Sequence, residues 1–404
     1  MAQAEVSCIV RLDFFLGFWF FKFVSKGFAQ LSNYMRIAVI HHTIALENDY
    51  GFYVSDMLSG YAAWLGYEVE LADDFIFKNK STLPENAVIG IDIKATGSFG
   101  LRWWYSAKLP SILQKIGADV VINLNGILST AVKQPQLLAV PDIGFLQNPA
   151  MAVAPWQKLA LKNSVAYANA SAAIITYSTH AANIVGQTTN KPKEALQVVP
   201  YTANSEYREW QWHEKVTVKD NFADNKEFFV AILDDSKPDL WLDTLKAFSK
   251  FKKWQQSNMQ LLLIPKNEHA PIYVLDKITT YKYKDDVQVL DGLTLKEKAS
   301  LVASAYGLIH LPANNADLQP LAEALQCATP FVSVNSETIS EYFAGGGILT
   351  ATGGPEELGD GLITLYKNEE QRSEMVENAK ARAQAMQRDA VAKPFWDLIE
   401  SLVK

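Results

Sequence analysis

Between Asn314 and Pro330 the chain reads NNADLQPLAEALQCATP, a polar loop running into a helix, and just upstream YGLIHLP reads as a buried strand. That order of strand, loop and helix sets Asn315, Asp317 and Leu318 before a first helical turn opened by Pro320, with Leu321, Ala324 and Leu325 on the apolar face. Open α/β sheets bind ligands at this edge. His41 and His42 close the strand MRIAVIHH and stand at the same kind of edge, although a loop histidine is more often a surface residue. His310, inside a strand, reads as a core residue. After the strand FFVAIL come Asp234, Asp235 and Lys237. Two such acids could bridge a divalent ion to phosphates, but exposed loop acids are ordinarily solvated, so no metal is expected.

The elements that must position these groups follow from composition and periodicity. The chain has 404 residues, 49% hydrophobic and 20% charged, enough for two domains of ordinary size. A net charge of -7 without a basic run excludes a nucleic-acid partner from the expectations. Cys8 and Cys327 make neither a disulfide framework nor a metal site, and a reducing, cytoplasmic setting is expected. Residues 1–34 differ from the rest. Their apolar run FFLGFWFF (14–21) is far shorter than the roughly 20 residues a membrane helix needs, and no secretory signal pattern surrounds it. The segment reads as an interfacial anchor or as an extension outside the fold, and Met35, opening a compact strand, favours the extension.

From Met35 onward strand and helix alternate. Strands are expected at 36–41, 67–71, 87–91, 119–124, 136–140, 172–177 and 196–200, then at 228–233, 259–264, 287–290, 306–311 and 330–334. Continuous apolar strands mean a sheet covered on both faces, hence parallel and doubly wound. The charged and aromatic stretch 206–227 breaks the rhythm. The expected organisation is an N-terminal Rossmann-like domain over 35–210, a linker over 211–226, a C-terminal Rossmann-like domain over 227–390 and a terminal helix over 391–404 that packs back on the first domain. Trp103, Trp104 and Tyr105 read as helix packing, and the triple glycine 345–347 as a turn before a strand.

The order of elements, with LRWWYSAKLPSILQKIGADVVINLNG in the first half, LKAFSKFKKWQQSNMQLLLI opening the second and PLAEALQCATPFVSVNSETISEYFAGGGIL near the end, resembles the group 1, or family 4, retaining glycosyltransferases of GT-B fold. The likeness runs from Met35 to Lys404. It implies two Rossmann-like domains facing a cleft and sugar transfer from a nucleotide diphosphate-sugar to a carbohydrate or lipid-linked glycan acceptor, with no cofactor. Peripheral contact with the inner face of the membrane and a partner glycosyltransferase are in keeping with such an acceptor.

The family's signature carries two glutamates separated by seven residues. The second, which grips the ribose, falls on Glu323, with Pro320 at its family position; the first, which touches the donor sugar, falls on Asn315. Ala316, Asp317 and Leu318 stand where the family has Gly-Phe-Gly, and the aspartate repels a diphosphate. The basic pair that clamps the diphosphate falls on Pro238 and Asp239, leaving Lys237 as the neighbouring cation. In the first domain a family His-Asp becomes Pro141-Asp142, and a Ser-Glu becomes Ser178-Thr179. Positions that shape the fold match, whereas most of those that touch phosphate or sugar have changed. The expected activity is glycosyl transfer; the alternative is an inactive relative serving as a binding or scaffold subunit.

Overall fold

The computed structural model describes residues 35–42, 49–73, 86–95, 97–267 and 269–403. The reading of residues 1–34 as an extension lies outside the described residues. The first half runs β1 (Arg36–His41), α1 (Asp49–Trp64), β2 (Glu68–Asp73), β3 (Ala87–Asp92), α2 (Gly97–Trp103), α3 (Leu109–Ile116), β4 (Val120–Asn123), β5 (Gln136–Ala139), α4 (Gly144–Gln147), α5 (Pro155–Ala170), β6 (Ala173–Thr176), α6 (Thr179–Thr189) and β7 (Leu196–Val198). After α7 (Trp212–Ala223) come β8 (Phe228–Leu233), α8 (Pro238–Trp254), β9 (Gln260–Pro265), α9 (Ile272–Thr279), β10 (Val287–Val289), α10 (Leu295–Ser304) and β11 (Gly307–His310). The chain closes with α11 (Gln319–Gln326), β12 (Phe331–Val334), α12 (Glu337–Phe343), β13 (Gly347–Thr350), α13 (Pro355–Lys367), α14 (Glu369–Ala385) and α15 (Arg388–Val403).

The strands form two sheets, in the orders β2-β3-β1-β4-β5-β6-β7 and β10-β9-β8-β11-β12-β13, with every pairing parallel. This is the expected doubly wound architecture, and its cause is visible in the strands: AIIT of β6 and VVIN of β4 are buried at every position, so helices must cover both faces. One apolar core runs through the first domain and into the second around α10, α11 and Phe331. Another fills the space between β8, β9 and the helices α8 and α13. Among the described residues no helix is long and apolar enough to cross a membrane.

Three elements differ from the sequence reading in instructive ways. The segment 211–226 carries a helix, α7, opened by a capping box in which Glu214 accepts the Gln211 N–H at 2.8 Å. The terminal helix begins at Arg388 and runs through Pro394. A proline there removes one intrahelical bond, and the burial of Ala392, Phe395, Trp396 and Ile399 offsets that loss. The helix lies on α1, where Arg388 pairs with Asp56 at 2.7 Å, and Trp396 makes a T-shaped contact with Tyr67, just before β2, with centroids 4.9 Å apart.

The triple glycine does more than turn. Gly345 has φ +87, but at Gly347 an added Cβ would lie 2.3 Å from the Phe331 carbonyl oxygen, and at Gly346 it would lie 2.7 Å from Leu325 Cδ2. The strand β13 approaches β12 too closely for a side chain. Gly347→Ala is therefore expected to destabilise the fold by about 1–3 kcal/mol, the usual cost of overpacking, read as a lower urea midpoint at unchanged slope.

Candidate functional site

The loop between β11 and α11 is held from within. Asp317 is buried and accepts hydrogen bonds from Lys266 Nζ at 2.6 Å and from the Ala313 N–H at 2.9 Å. Asn314 Oδ1 accepts from the Ala316 N–H at 2.8 Å, and the Tyr201 hydroxyl, from the first domain, donates to the Ala316 carbonyl at 2.5 Å. Burial alone would push the Asp317 carboxyl up; the Lys266 ammonium and the backbone N–H outweigh it and hold the group below its ordinary value. Lys266 follows directly on β9, so it stands at the same sheet edge as Lys237, which follows β8. Sequence reading missed Lys266. The available signal was a cation placed immediately after the buried run LLLIP.

Glu323 sits one turn into α11 and is 8% exposed. Gln319 Nε2 donates to it at 3.2 Å and the Tyr207 hydroxyl donates as well, yet burial dominates and raises its carboxyl to about 7. Gln319 Nε2 also reaches the Thr202 carbonyl at 3.3 Å. Residues 201–207 thus lie across the start of α11, and the position read as a ribose grip is covered by the protein's own tyrosine. Pro320 and Leu318 are buried beside it.

At the start of α8, Asp234 Oδ1 accepts from the Ser236 N–H at 2.7 Å, while the Asp234 carbonyl takes the Trp241 indole N–H at 2.9 Å. This turn delivers Lys237 to the N-cap position of α8, where it is exposed; Pro238 and Asp239 fill the first turn. A cation at a helix N-terminus gives up favourable dipole energy, so its placement there needs an anion to be useful. Among the described residues no group of three or more His, Cys, Asp or Glu side chains could hold a metal ion.

The first domain brings its own edge to the same place. Asn315 is exposed, and its amide lies 3.2 Å from where a Cβ on Gly144 would stand. The Gly144 N–H donates to Asp142 Oδ1 at 2.8 Å. Ser178 is buried, caps α6 by accepting the Ala181 N–H at 3.0 Å, and lies 3.3 Å from the Thr338 hydroxyl of α12. Glu341, also on α12, accepts the Thr179 and His180 N–H groups at 3.0 and 3.2 Å, so an acid of the second domain closes a helix terminus of the first. His41 Nε2 is 3.1 Å from the Ser55 hydroxyl, and burial lowers the imidazole to about 4. His310 is a core residue whose Nδ1 meets Ser333 Oγ at 2.9 Å. Trp104 and Tyr105 are buried, whereas Trp103 is 55% exposed.

Two parallel-sheet domains meeting along the carboxyl edges of their strands, with the loop after β11 against residues of the first domain, define the GT-B class. Residues 237–382, in the second domain, match the family described as Glycosyl transferases group 1. No curated protein sequence matches. Among solved structures, Alr3699/HepE of Anabaena, crystallised with UDP and glucose, aligns with a TM-score of 0.68 at 15% identity over 91% of this chain and 100% of its own. WaaG, a glycosyltransferase involved in lipopolysaccharide biosynthesis, gives 0.67 at 14% identity over 90% and 99%. Sucrose-phosphate synthase of Thermosynechococcus elongatus gives 0.66 at 14% over 91% and 99%. At such identities the likeness speaks for the fold.

Proposed function

We propose that the chain transfers a sugar from a nucleotide diphosphate-sugar to a glycan or cell-envelope polysaccharide acceptor, with retention at the anomeric carbon. The observation that carries this reading is that β8 and β11 are neighbouring parallel strands, so the turn bearing Lys237 and the loop leading into the helix of Glu323 leave the same sheet edge inside the group 1 region. The ribose hydroxyls would take the place of the Tyr207 and Gln319 donors on Glu323. Lys237, at the N-terminus of α8, would face the diphosphate as the C1–O bond to it breaks and negative charge develops on the leaving oxygen. The acceptor oxygen would bond to C1 on the face the diphosphate leaves, and its proton would pass to the departing phosphate. Asn315 and Asp142, which flank Gly144, would contact the transferred sugar. No cofactor enters this scheme; the nucleotide-sugar is a substrate.

For a lipid-linked acceptor the chain would act at the cytoplasmic face of a membrane, alone or beside a second glycosyltransferase. Phe99 and Trp103, 86% and 55% exposed on α2, and Val153, 68% exposed, are the apolar side chains such a contact could use.

One observation favours the second reading, a non-catalytic binding or scaffold subunit. Lys266 is already engaged by Asp317, and Asp234, Asp235 and Asp239 surround Lys237 in sequence with charge of the wrong sign for a diphosphate. A thermal-shift screen with UDP-, GDP- and ADP-sugars separates the two. A working donor site should add about 2.7 kcal/mol of stability at a hundredfold excess over the dissociation constant; no shift with any donor would leave the scaffold reading.

A further inference from the structure

Residues 201–208 run lengthwise along one face of α11 and the loop before it. The Tyr201 hydroxyl donates to the Ala316 carbonyl at 2.5 Å, Gln319 Nε2 donates to the Thr202 carbonyl at 3.3 Å, the Tyr207 hydroxyl donates to the Glu323 carboxyl, and the Arg208 N–H reaches Cys327 Sγ. Gln319, Glu323 and Cys327 stand four residues apart, hence on the same side of the helix. The contacts thus advance in step along both segments.

The two ends of this segment are also tied to other elements. At Thr202 the Tyr53 hydroxyl of α1 donates to the Pro200 carbonyl at 2.8 Å and lies 3.1 Å from Thr202 Oγ1, and the Tyr53 ring stacks on Tyr201 with centroids 4.8 Å apart. At the other end Arg208 pairs with Glu214 of α7 at 2.6 Å, and Glu209 pairs with Lys380 of α14 at 2.9 Å. Between these anchors lies a turn in which the Tyr207 N–H donates to the Asn204 carbonyl at 3.0 Å. Ser205 and Glu206 at its tip are exposed, and of residues 204–207 Tyr207 alone is buried, at 3% exposure. A turn with one buried side chain swings outward by releasing that side chain, and the packing of Tyr201 stays intact.

We propose that the turn Asn204–Tyr207 is a flap over the ribose position of the donor site, with Tyr207 as its plug, and that a nucleotide-sugar binds by expelling the tyrosine from Glu323. The proposal rests on the transferase reading for the identity of the donor and adds a regulation of that same site. With the flap closed, Glu323 is 8% exposed and Gln319 and Tyr207 donate to its carboxyl. Ribose hydroxyls therefore reach it in the open form alone. The apparent dissociation constant is then the intrinsic one divided by the open fraction.

The test titrates UDP-glucose calorimetrically into the full chain as wild type, Tyr207→Phe and Tyr207→Ala, and separately follows carbodiimide-driven coupling of glycinamide to Glu323 by peptide mass spectrometry. Tyr207→Phe keeps the ring but loses the hydrogen bond to Glu323, and should bind the donor about threefold to tenfold more tightly. Tyr207→Ala should bind more tightly still. Without donor, Glu323 of the wild type should couple far more slowly than the exposed Glu206, and in Tyr207→Ala at a rate approaching that of Glu206. Should Tyr207→Ala fail to fold, Tyr207→Phe carries the test, with coupling at Glu323 faster than in the wild type. Equal or weaker donor binding by Tyr207→Phe at an unchanged melting temperature, or wild-type coupling at Glu323 as fast as at Glu206, would overturn the proposal. Coupling as expected with no UDP-glucose bound by any of the three would refute the transferase reading and leave the flap standing over Glu323.

Discussion

Replacing Asp317 with alanine should lower the unfolding free energy by about 3 kcal/mol, because truncating one member of a buried ion pair leaves the other desolvated without its partner. Lys266 and Asp317 are 2.6 Å apart, with side chains 16% and 6% exposed. The Asp317 carboxyl is held below its unfolded value of 3.8. Its contribution is thus fully present above about pH 4 and is lost as pH falls through the lower folded value. Chemical denaturation at pH 7 and at pH 3 checks both statements, since the difference between wild type and Asp317→Ala should shrink in acid. The isosteric Asp317→Asn carries a functional corollary. Removing the negative charge frees Lys266 to meet a diphosphate, and binding of UDP-glucose should tighten by about tenfold, equivalent to 1.4 kcal/mol. Equal stability of wild type and Asp317→Ala would mean that the pair contributes nothing and the loop is held by Tyr201 and Asn314 alone.

Glu323 should make the protein less stable as pH rises through neutrality, opposite to the usual behaviour of a carboxylate. Its folded value is about 7 against 4.5 unfolded, so the stabilisation is complete below pH 4.5 and disappears as pH rises through 7. Each pH unit separating the folded from the unfolded value corresponds to about 1.4 kcal/mol, and between pH 5 and pH 8.5 the loss comes to roughly 2–3 kcal/mol. His41 and His310, both lowered to about 4 by burial, act in the other direction, adding stability as pH rises from 4 to about 6.5. The comparison that isolates Glu323 is the difference between wild type and Glu323→Gln across that range. The wild type should lose its advantage toward pH 8.5. Parallel curves would show that the carboxyl titrates normally and that Tyr207 does not seal it.

The fold was legible because its signals are local and redundant. Strands such as RIAVIH and FFVAIL are apolar throughout, and β1 and β8 occupy the expected residues. Helix α8 begins at Pro238, before its apolar periodicity, because proline suits a first turn. What the sequence could not reveal is which side chain reaches which across the domain boundary. Glu341 lies on α12, and its two hydrogen bonds to Thr179 and His180 depend on how the domains meet. The same holds for Tyr201 and Tyr207, which lie in a stretch with little periodicity and yet reach α11 and the loop before it. Lys266 escaped notice because its role is defined by Asp317, which is 51 residues away in sequence.

Of the candidate site, the sequence made legible only the positions along the chain. Asn315, Asp317, Leu318, Pro320 and Glu323 were read from one motif, and they lie within one loop and the first turns of α11. Their burial was not legible, since a carboxylate that could grip a ribose and one sealed under a tyrosine have the same spacing in sequence.

Calorimetric titration of UDP-glucose into wild type and Glu323→Ala, followed by donor-hydrolysis assays of wild type and Lys237→Ala, tests whether the second domain binds and turns over a nucleotide-sugar. Hydrogen bonds to a charged group are worth about 1.5–3 kcal/mol, so at pH 8.5, above the raised value of about 7, Glu323→Ala should bind at least about tenfold more weakly. Lys237 is exposed, so Lys237→Ala should lose turnover with its melting temperature unchanged. No binding by the wild type, or equal binding by wild type and Glu323→Ala, would contradict a donor site on α11.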